Sequence, residues 1–181
     1  MKICYRYCPI GSGKVCHGLK VRLTLIILQL LFSVVVLGLS VTPARGQGTG
    51  KAPAESGYAA FTGAFGIIAA LLGIIALFMY SLDGVITWLI DGVASLTLLA
   101  GGIVYAVTLK GVHCSNAWTT YQNKLIDGGS WSDNKGDTIS YWDESHLHSR
   151  CVSAEANTTF MFLACIACIG TLVASVFSGR R

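Results

Sequence analysis

The sequence predicts an all-α membrane protein in which four transmembrane helices form a bundle. The 181-residue chain is 53% hydrophobic and only 12% charged, whereas a typical soluble domain is about 25% charged. Its apolar residues lie in four long runs, at residues 21–41, 59–80, 85–107 and 158–177. Each run is long enough to cross about 30 Å of hydrocarbon as an α-helix. Lipid, rather than one buried core, therefore receives these side chains.

The first run has no charged residue after Arg22, and Gln29 is its only strongly polar side chain after that residue. A cleaved signal peptide is an alternative interpretation, because basic residues precede the run and small residues follow it near Ala44. The apolar core of a signal peptide usually has about 7–15 residues, and this run is longer. The first run is therefore predicted to span the membrane.

The other three runs contain a single acidic residue, Asp91, in the third of them. Only residues 81–84 separate the second run from the third, and Asp83 and Gly84 predict a tight turn between two helices. Backbone groups in hydrocarbon find no partner outside their own segment, so each run is expected to be helical. The period-two alternation of a membrane β-barrel is absent.

The basic residues predict the orientation of the chain. Seven of them lie at its two ends: Lys2, Arg6, Lys14, Lys20, Arg22, Arg180 and Arg181. The loop at 110–157 has four basic and six acidic residues. Because cytosolic flanks are enriched in Lys and Arg, both ends are expected in the cytosol. This divides the chain into a cytosolic tail at 1–20, a four-span domain at 21–178 with an extracellular or lumenal loop at 110–157, and a short tail at 179–181.

Cys114 and Cys151 flank most of the long loop, which the orientation places in an oxidising compartment, so a disulfide is expected between them. The loop is otherwise polar, with five aromatic exceptions that either pack on the disulfide and the membrane interface or form a partner-binding surface. These are Trp118, Tyr121, Trp131, Tyr141 and Trp142.

Two other features of the loop have simple interpretations. Its histidines, His113, His146 and His148, lack a zinc-site spacing alongside a matching cysteine pair, so they are expected to be solvated, and no metal or cofactor is predicted. Asn157 heads an N-glycosylation sequence, Asn157-Thr158-Thr159. It lies at the start of the fourth run, where the membrane is expected to prevent its use.

Asp91 is the polar residue of greatest interest within the spans. An acid inside a membrane is often functional, which makes a small transporter or channel that uses Asp91 the alternative function. A structural role is also open, in which Asp91 bonds a neighbour such as Gln29 or reaches back to the interface. An ion path normally needs more than one buried titratable group, and the second and fourth runs have none.

Small residues recur four apart in the second, third and fourth runs, as in Gly66 and Ala70, and permit close approach of helices. They indicate packing within the bundle, and the same faces would also suit self-association. Cys165 and Cys168 are expected to be small packing residues, because a thiolate is disfavoured in lipid.

The N-terminal tail has three cysteines, Cys4, Cys8 and Cys16, among basic residues beside the first run. Cytosolic thiols stay reduced, so palmitoylation of these cysteines is a hypothesis. The neighbouring Lys and Arg side chains would favour anionic lipid.

Several short motifs resemble the fungal MARVEL-domain proteins, most closely the eisosome-associated non-classical export protein family. In the first run, Arg22 and Gln29 precede Val-Leu-Gly at 36–38, and the third run has Asp91 and Ala-Gly at 100–101. Cys114-Ser115-Asn116 follows that run, and the segment Arg150-Cys151-Val152-Ser153-Ala154-Glu155-Ala156 leads to Phe160. The resemblance covers about residues 20–178 and is weak in the second run. The extension before Lys20 and the segment from Trp131 to Ser149 depart from the pattern.

The resemblance implies a four-helix membrane-organising scaffold of the plasma membrane that acts in eisosome-like lipid microdomains, endocytosis or unconventional export. The partners it implies are membrane lipids, including sphingolipid-rich domains, and further membrane proteins or copies of the chain. No nucleic-acid partner is expected. The family brings no catalytic residues, and the sequence itself has no nucleophile with a base, no carboxylate pair and no complete phosphate loop, so no enzyme is predicted.

Overall fold

A computed structural model describes residues 13–45, 53–78, 85–116, 119–120, 122–127, 130–132, 138–140 and 144–179. Its helices are α1 (Gly13–Arg45), α2 (Ala54–Phe78), α3 (Val85–Thr108) and α4 (Glu144–Gly179). Between α3 and α4, the strands β1 (Ser130–Ser132) and β2 (Thr138–Ser140) form an antiparallel pair with residue 131 in register with residue 139. All four helices are long and apolar enough to cross a membrane. The predicted all-α four-span bundle is therefore confirmed.

The helices extend beyond the apolar runs that predicted them. The largest difference is at α4, which begins at Glu144 rather than at Thr158, so residues 144–157 are helix and not loop. Leu147, Cys151 and Ala154 recur at helical spacing in this segment, and Leu147 and Cys151 are buried. A polar segment with one apolar face forms an amphipathic helix. The predicted turn at Asp83 and Gly84 lies outside the described residues.

Neighbouring helices run antiparallel and pack in the ring order α1, α2, α3, α4. We call the end where α1 begins and α4 ends the terminal end, and the opposite end, where α3 leads into Cys114, the disulfide end. The antiparallel pairing of α1 with α4 is visible in their contacts: Leu25 lies against Gly170, and the rings of Phe32 and Phe160 are 5.9 Å apart.

Glycines allow α2 to approach α1 closely. A Cβ atom on Gly63 would lie 2.8 Å from the backbone nitrogen of Leu37, and one on Gly66 would collide with the Ser33 hydroxyl. Further along α2, Gly73 faces Ile26. The small-residue face of α2 is therefore used for packing inside the bundle.

The outer surface of the bundle is apolar on every helix. Large aliphatic or aromatic side chains are more than half exposed on each of the four: Leu31 (55%), Phe61 (57%), Leu96 (66%) and Ile166 (64%). The buried positions, by contrast, include many polar residues. This inverted distribution is that of a protein whose surface is solvated by lipid.

Candidate functional site: two buried polar layers and a disulfide-tied loop

The first polar layer lies towards the terminal end, and we call it the terminal-end layer. Asp91 of α3 is 5% exposed, and the Thr171 hydroxyl of α4 lies 3.2 Å from its Oδ2 atom. The same hydroxyl lies 2.7 Å from the Cys168 carbonyl oxygen, so it can donate to either acceptor. Asp91 therefore faces the inside of the bundle and links α3 to α4.

Helix α1 contributes Gln29 and Arg22 to the terminal-end layer. Gln29 is fully buried beside the Asp91 carboxyl group, although neither of its amide atoms makes a direct hydrogen bond. Arg22 is 5% exposed and acts on the same carboxyl group with the opposite charge. The structure thus brings Gln29 and Asp91 together. Sequence reasoning did not single out Thr171. Its spacing of three residues from Cys168 and four from Ser175, both also buried, is the feature that would have placed it on the inner face of α4.

The second polar layer, the disulfide-end layer, takes one residue from each helix: Ser40, Ser56, Tyr105 and Asn157. The side-chain nitrogen of Asn157 donates to the Ser40 hydroxyl oxygen at 3.0 Å, and Ser40 donates to the Val36 carbonyl oxygen at 2.7 Å. Sequence reasoning considered Asn157 only as a glycan acceptor. Its side chain is 1% exposed, and it lies inside the bundle rather than on its surface.

Three fully buried apolar side chains lie between the two polar layers. Val36 of α1, Leu98 of α3 and Met161 of α4 are each 0% exposed, and each lies on its helix between a residue of one layer and a residue of the other. Buried Ser33 of α1 and Ser95 of α3 also lie between the two layers, so this part of the bundle interior is largely, though not wholly, apolar.

The loop at the disulfide end is tied to the bundle by a covalent bond and by hydrogen bonds. Cys114 and Cys151 form a disulfide with a Cα–Cα distance of 5.5 Å. Leu125, Ile126 and Leu147 pack in one apolar cluster with Cys151 and Tyr105. The loop has too few aliphatic residues for a core of its own, so it extends the core of the bundle.

Polar contacts hold the loop to both neighbouring helices. Arg150 Nε of α4 donates to the Ile126 carbonyl oxygen at 2.8 Å, and Asn123 Nδ2 donates to the Thr108 carbonyl oxygen at 2.7 Å. The second bond satisfies a carbonyl at the C-terminus of α3, which otherwise lacks a helical partner. Gly111 follows with φ +81°, a conformation that glycine adopts without strain.

The histidines do not gather into a metal site among the described residues. His113, His146 and His148 are exposed. The group of potential ligands that the described chain brings together consists of Cys114, Cys151 and Glu155. Its two sulfur atoms are joined in the disulfide and supply no thiolate ligand.

The cysteines of α4 and the small residues contribute to packing. Cys165 and Cys168 are buried, and Cys165 donates to the Ser95 carbonyl oxygen at 3.4 Å. Gly102 of α3 contacts the ring of Phe162. Of the remaining predicted residues, Cys4 and Cys8 lie outside the described part of the chain. The structure also does not describe the side chains of Cys16 and of the five aromatic residues of the loop.

The four apolar helices, with polar side chains inside and apolar ones outside, define a multi-pass membrane protein of the four-span class. The family model described as "MARVEL: Membrane-associating domain" matches residues 19–174. The chain therefore belongs to the MARVEL family. No curated protein and no solved structure matches it.

Proposed function

We propose that this chain is a membrane-organising scaffold without catalytic activity, which enters a lipid domain of the plasma membrane and stabilises it. The membrane-associating description of its family supports a role in the membrane itself. The observation that carries the proposal is the distribution of side chains. Each helix exposes large apolar residues, while the most polar residues of the spans, Asp91 and Gln29, are enclosed between helices.

The exposed surface suits lipid as the main partner. Gly63, Gly66 and Gly73 are occupied by contacts with α1, so these small residues are not free to pair with a second copy. The exposed residues are mostly bulky aliphatic side chains, which match acyl chains without close backbone approach. Self-association, or association with other membrane proteins, would use these bulky faces or the loop at the disulfide end.

The proposed orientation has both ends of the chain in the cytosol and the disulfide-tied loop outside it. The excess of Lys and Arg at the two ends supports it. The Cys114–Cys151 disulfide supports it independently, because disulfides persist in oxidising compartments and are rare in the cytosol.

The proposed cellular role is the organisation of eisosome-like, sphingolipid-rich domains that serve endocytosis or unconventional export. Its support is the resemblance to the non-classical export family at Asp91, Cys114 and residues 150–156. Imaging of a tagged chain expressed at its native level tests the role. Patches that coincide with such domains, and altered domains when the chain is deleted, are expected. An even distribution with unchanged domains would reject the scaffold.

A small transporter or channel that uses Asp91 is the competing proposal, and its basis is the buried carboxylate. Val36, Leu98 and Met161 make the interior between the two polar layers largely apolar, which favours the scaffold over a continuous polar path. Proteoliposomes with the purified chain separate the two functions through proton and cation flux. The scaffold predicts flux equal to that of empty liposomes, whereas a flux that Asp91→Asn abolishes would establish the transporter.

A further inference from the structure

The Cys114–Cys151 disulfide has a carboxyl group beside both of its sulfur atoms. Glu155 follows Cys151 by one turn of α4, and its carboxylate oxygen lies within 4.8 Å of Cys114 Sγ and of Cys151 Sγ. Residues four apart share one face of an α-helix, so the helix holds this side chain next to the disulfide. Glu155 is exposed, and an exposed glutamate is negatively charged at neutral pH. The disulfide therefore has a negative charge beside it.

The two cysteines of the disulfide differ in their exposure. Cys151 is 0% exposed, whereas Cys114 is only partly buried. A disulfide is opened by a thiolate that bonds to one sulfur atom while the other sulfur atom leaves. Because Cys151 has no exposed surface, a thiol in solution can attack only Cys114, and Cys151 is then the leaving group.

The charge of Glu155 opposes this reaction. The attacking thiolate brings negative charge to Cys114, and cleavage of the bond leaves negative charge on Cys151. Like charges about 5 Å apart repel each other even in water, and a thiol that carries a second negative charge is repelled more strongly. Arg150 precedes Cys151, but its Nε donates to the Ile126 carbonyl oxygen at 2.8 Å, which directs its charge to the loop.

We propose that Glu155 protects the disulfide from reduction and makes its exchange selective, so that anionic thiols react more slowly than cationic ones. The sulfur of a small thiol bonds to Cys114 Sγ, the bond from Cys114 to Cys151 breaks, and Cys151 leaves as a thiolate that takes a proton from water. A second thiol molecule then displaces Cys114, which leaves as a thiol, and the two reagent molecules depart joined as a disulfide. The disulfide of the protein is uncharged, so Glu155 acts on the approaching reagent.

Reduction kinetics of the purified full chain in neutral detergent micelles test the proposal. Three thiols of increasing negative charge are compared: cysteamine, 2-mercaptoethanol and 2-mercaptoethanesulfonate. For each thiol, the rate for Glu155→Gln is divided by the rate for the unaltered chain, so that the intrinsic reactivity of the thiol cancels. At about 0.1 M salt we expect a ratio of about 2–4 for 2-mercaptoethanol, up to about 10 for 2-mercaptoethanesulfonate, and the smallest ratio for cysteamine. At about 1 M salt the three ratios should approach one another.

Glu144→Gln is the matched control. It removes another exposed acid of α4, seven residues and about 10 Å along the helix from Cys151, so screening should leave its rates close to those of the unaltered chain. Glu155→Asp keeps the charge and should preserve the order of the three thiols. Retained helix content and melting temperature identify folded variants. Equal ratios for the three thiols in Glu155→Gln, or ratios no larger than those of Glu144→Gln, would overturn the proposed selectivity.

Mass spectrometry tests the site of attack. Samples of the unaltered chain are quenched with acid early in the reaction with 2-mercaptoethanol and digested, and the mixed disulfide is located. The adduct is expected on Cys114, with Cys151 recovered as a free thiol. An adduct found first on Cys151 would overturn the proposed direction of the reaction.

Discussion

At the scale of single residues, Asp91 shows how the bundle accommodates a carboxylate within a membrane span. An isolated charge in hydrocarbon is costly, and Asp91 has three compensating neighbours on two other helices. Thr171 supplies a hydroxyl, Gln29 lies beside the carboxyl group, and Arg22 supplies the opposite charge. The charge thus contributes to the packing of α1, α3 and α4.

We predict that Asp91→Ala lowers the free energy of unfolding by about 2 kcal/mol, because it removes the polar neighbour on α3 of the buried Thr171 hydroxyl and the buried Gln29 amide. The measurement is unfolding of the purified chain in mixed micelles, followed by circular dichroism. Glu155→Gln removes an acid at an exposed position and should change stability by no more than about 0.5 kcal/mol. Equal stabilities of the two variants would contradict a structural role for Asp91.

Sequence reasoning recovered part of the polar layers. Asp91 and Gln29 stood out because they are strongly polar residues in apolar runs, and their proximity was one of the expected arrangements. Thr171, Ser40 and Tyr105 did not stand out, since Ser, Thr and Tyr are tolerated on many faces of a membrane helix. Whether such a residue faces the bundle depends on the rotation of each helix, which packing determines.

At the scale of helices, the contact between α1 and α2 depends on glycine at one point. The backbone of Leu37 approaches Gly63 so closely that no Cβ fits. Gly38, one residue further along α1, has nothing within 4 Å of the position a Cβ would take. The two glycines therefore form a matched pair for mutation.

We predict that Gly63→Ala destabilises the bundle by about 1–3 kcal/mol, because the two helices have to move apart. Gly38→Ala should be neutral or stabilising by up to about 1 kcal/mol, since alanine favours helix and meets no neighbour. The melting temperatures of both variants in the same detergent give the comparison. If Gly63→Ala were as stable as Gly38→Ala, the close approach of α1 and α2 would be wrong.

The disulfide is the main link between the loop and α4, and it spans 37 positions of sequence. The double variant Cys114→Ala/Cys151→Ala should lower the free energy of unfolding by about 2–4 kcal/mol, because the unfolded chain gains conformational freedom when the cross-link is absent. We also expect faster tryptic cleavage after Lys124 and Lys135 in the loop. Ser115→Ala, a change at an exposed neighbour of Cys114, is the control. Unchanged cleavage in the double variant would show that the hydrogen bonds from Arg150 and Asn123 hold the loop alone.

The start of α4 was the least predictable feature among the helices. Hydropathy detects the part of a helix that lipid surrounds, and the residues of α4 before Thr158 are too polar to be recognised as helix in that way. Their helical structure arises from an apolar face that packs on the loop, with Leu147 and Cys151 buried. That face becomes recognisable only once the loop contributes Leu125 and Ile126 as its counterpart.

At the scale of the whole molecule, the four spans followed directly from the sequence, since long uncharged runs have few alternatives to crossing a bilayer. The ring of antiparallel neighbours follows in part from the short connections between the first three helices. The proposed orientation rests on the distribution of basic residues. A new glycosylation sequence in the loop between α3 and α4 can test it.

We predict that Gly136→Thr makes the chain a substrate for N-glycosylation, because it completes an acceptor sequence at Asn134 in the loop. Expression in eukaryotic cells should give a slower-migrating band that endoglycosidase H converts back. Asn134→Gln in the same background is the control. The chain without the new sequence should stay unmodified, since Asn157 directly adjoins the apolar run at 158–177 and the membrane is expected to prevent its use. A Gly136→Thr chain that is inserted but never modified would argue against the proposed orientation.

Helix α4 runs without interruption for 36 residues, a length of about 54 Å. Near one extremity it is covalently fastened at Cys151, and near the other Thr171 touches Asp91. An α-helix resists stretching, so the disulfide and Thr171 are held on one continuous rigid element. We therefore expect a tilt of α4 at its Cys151 end to shift Thr171 relative to Asp91 at the other.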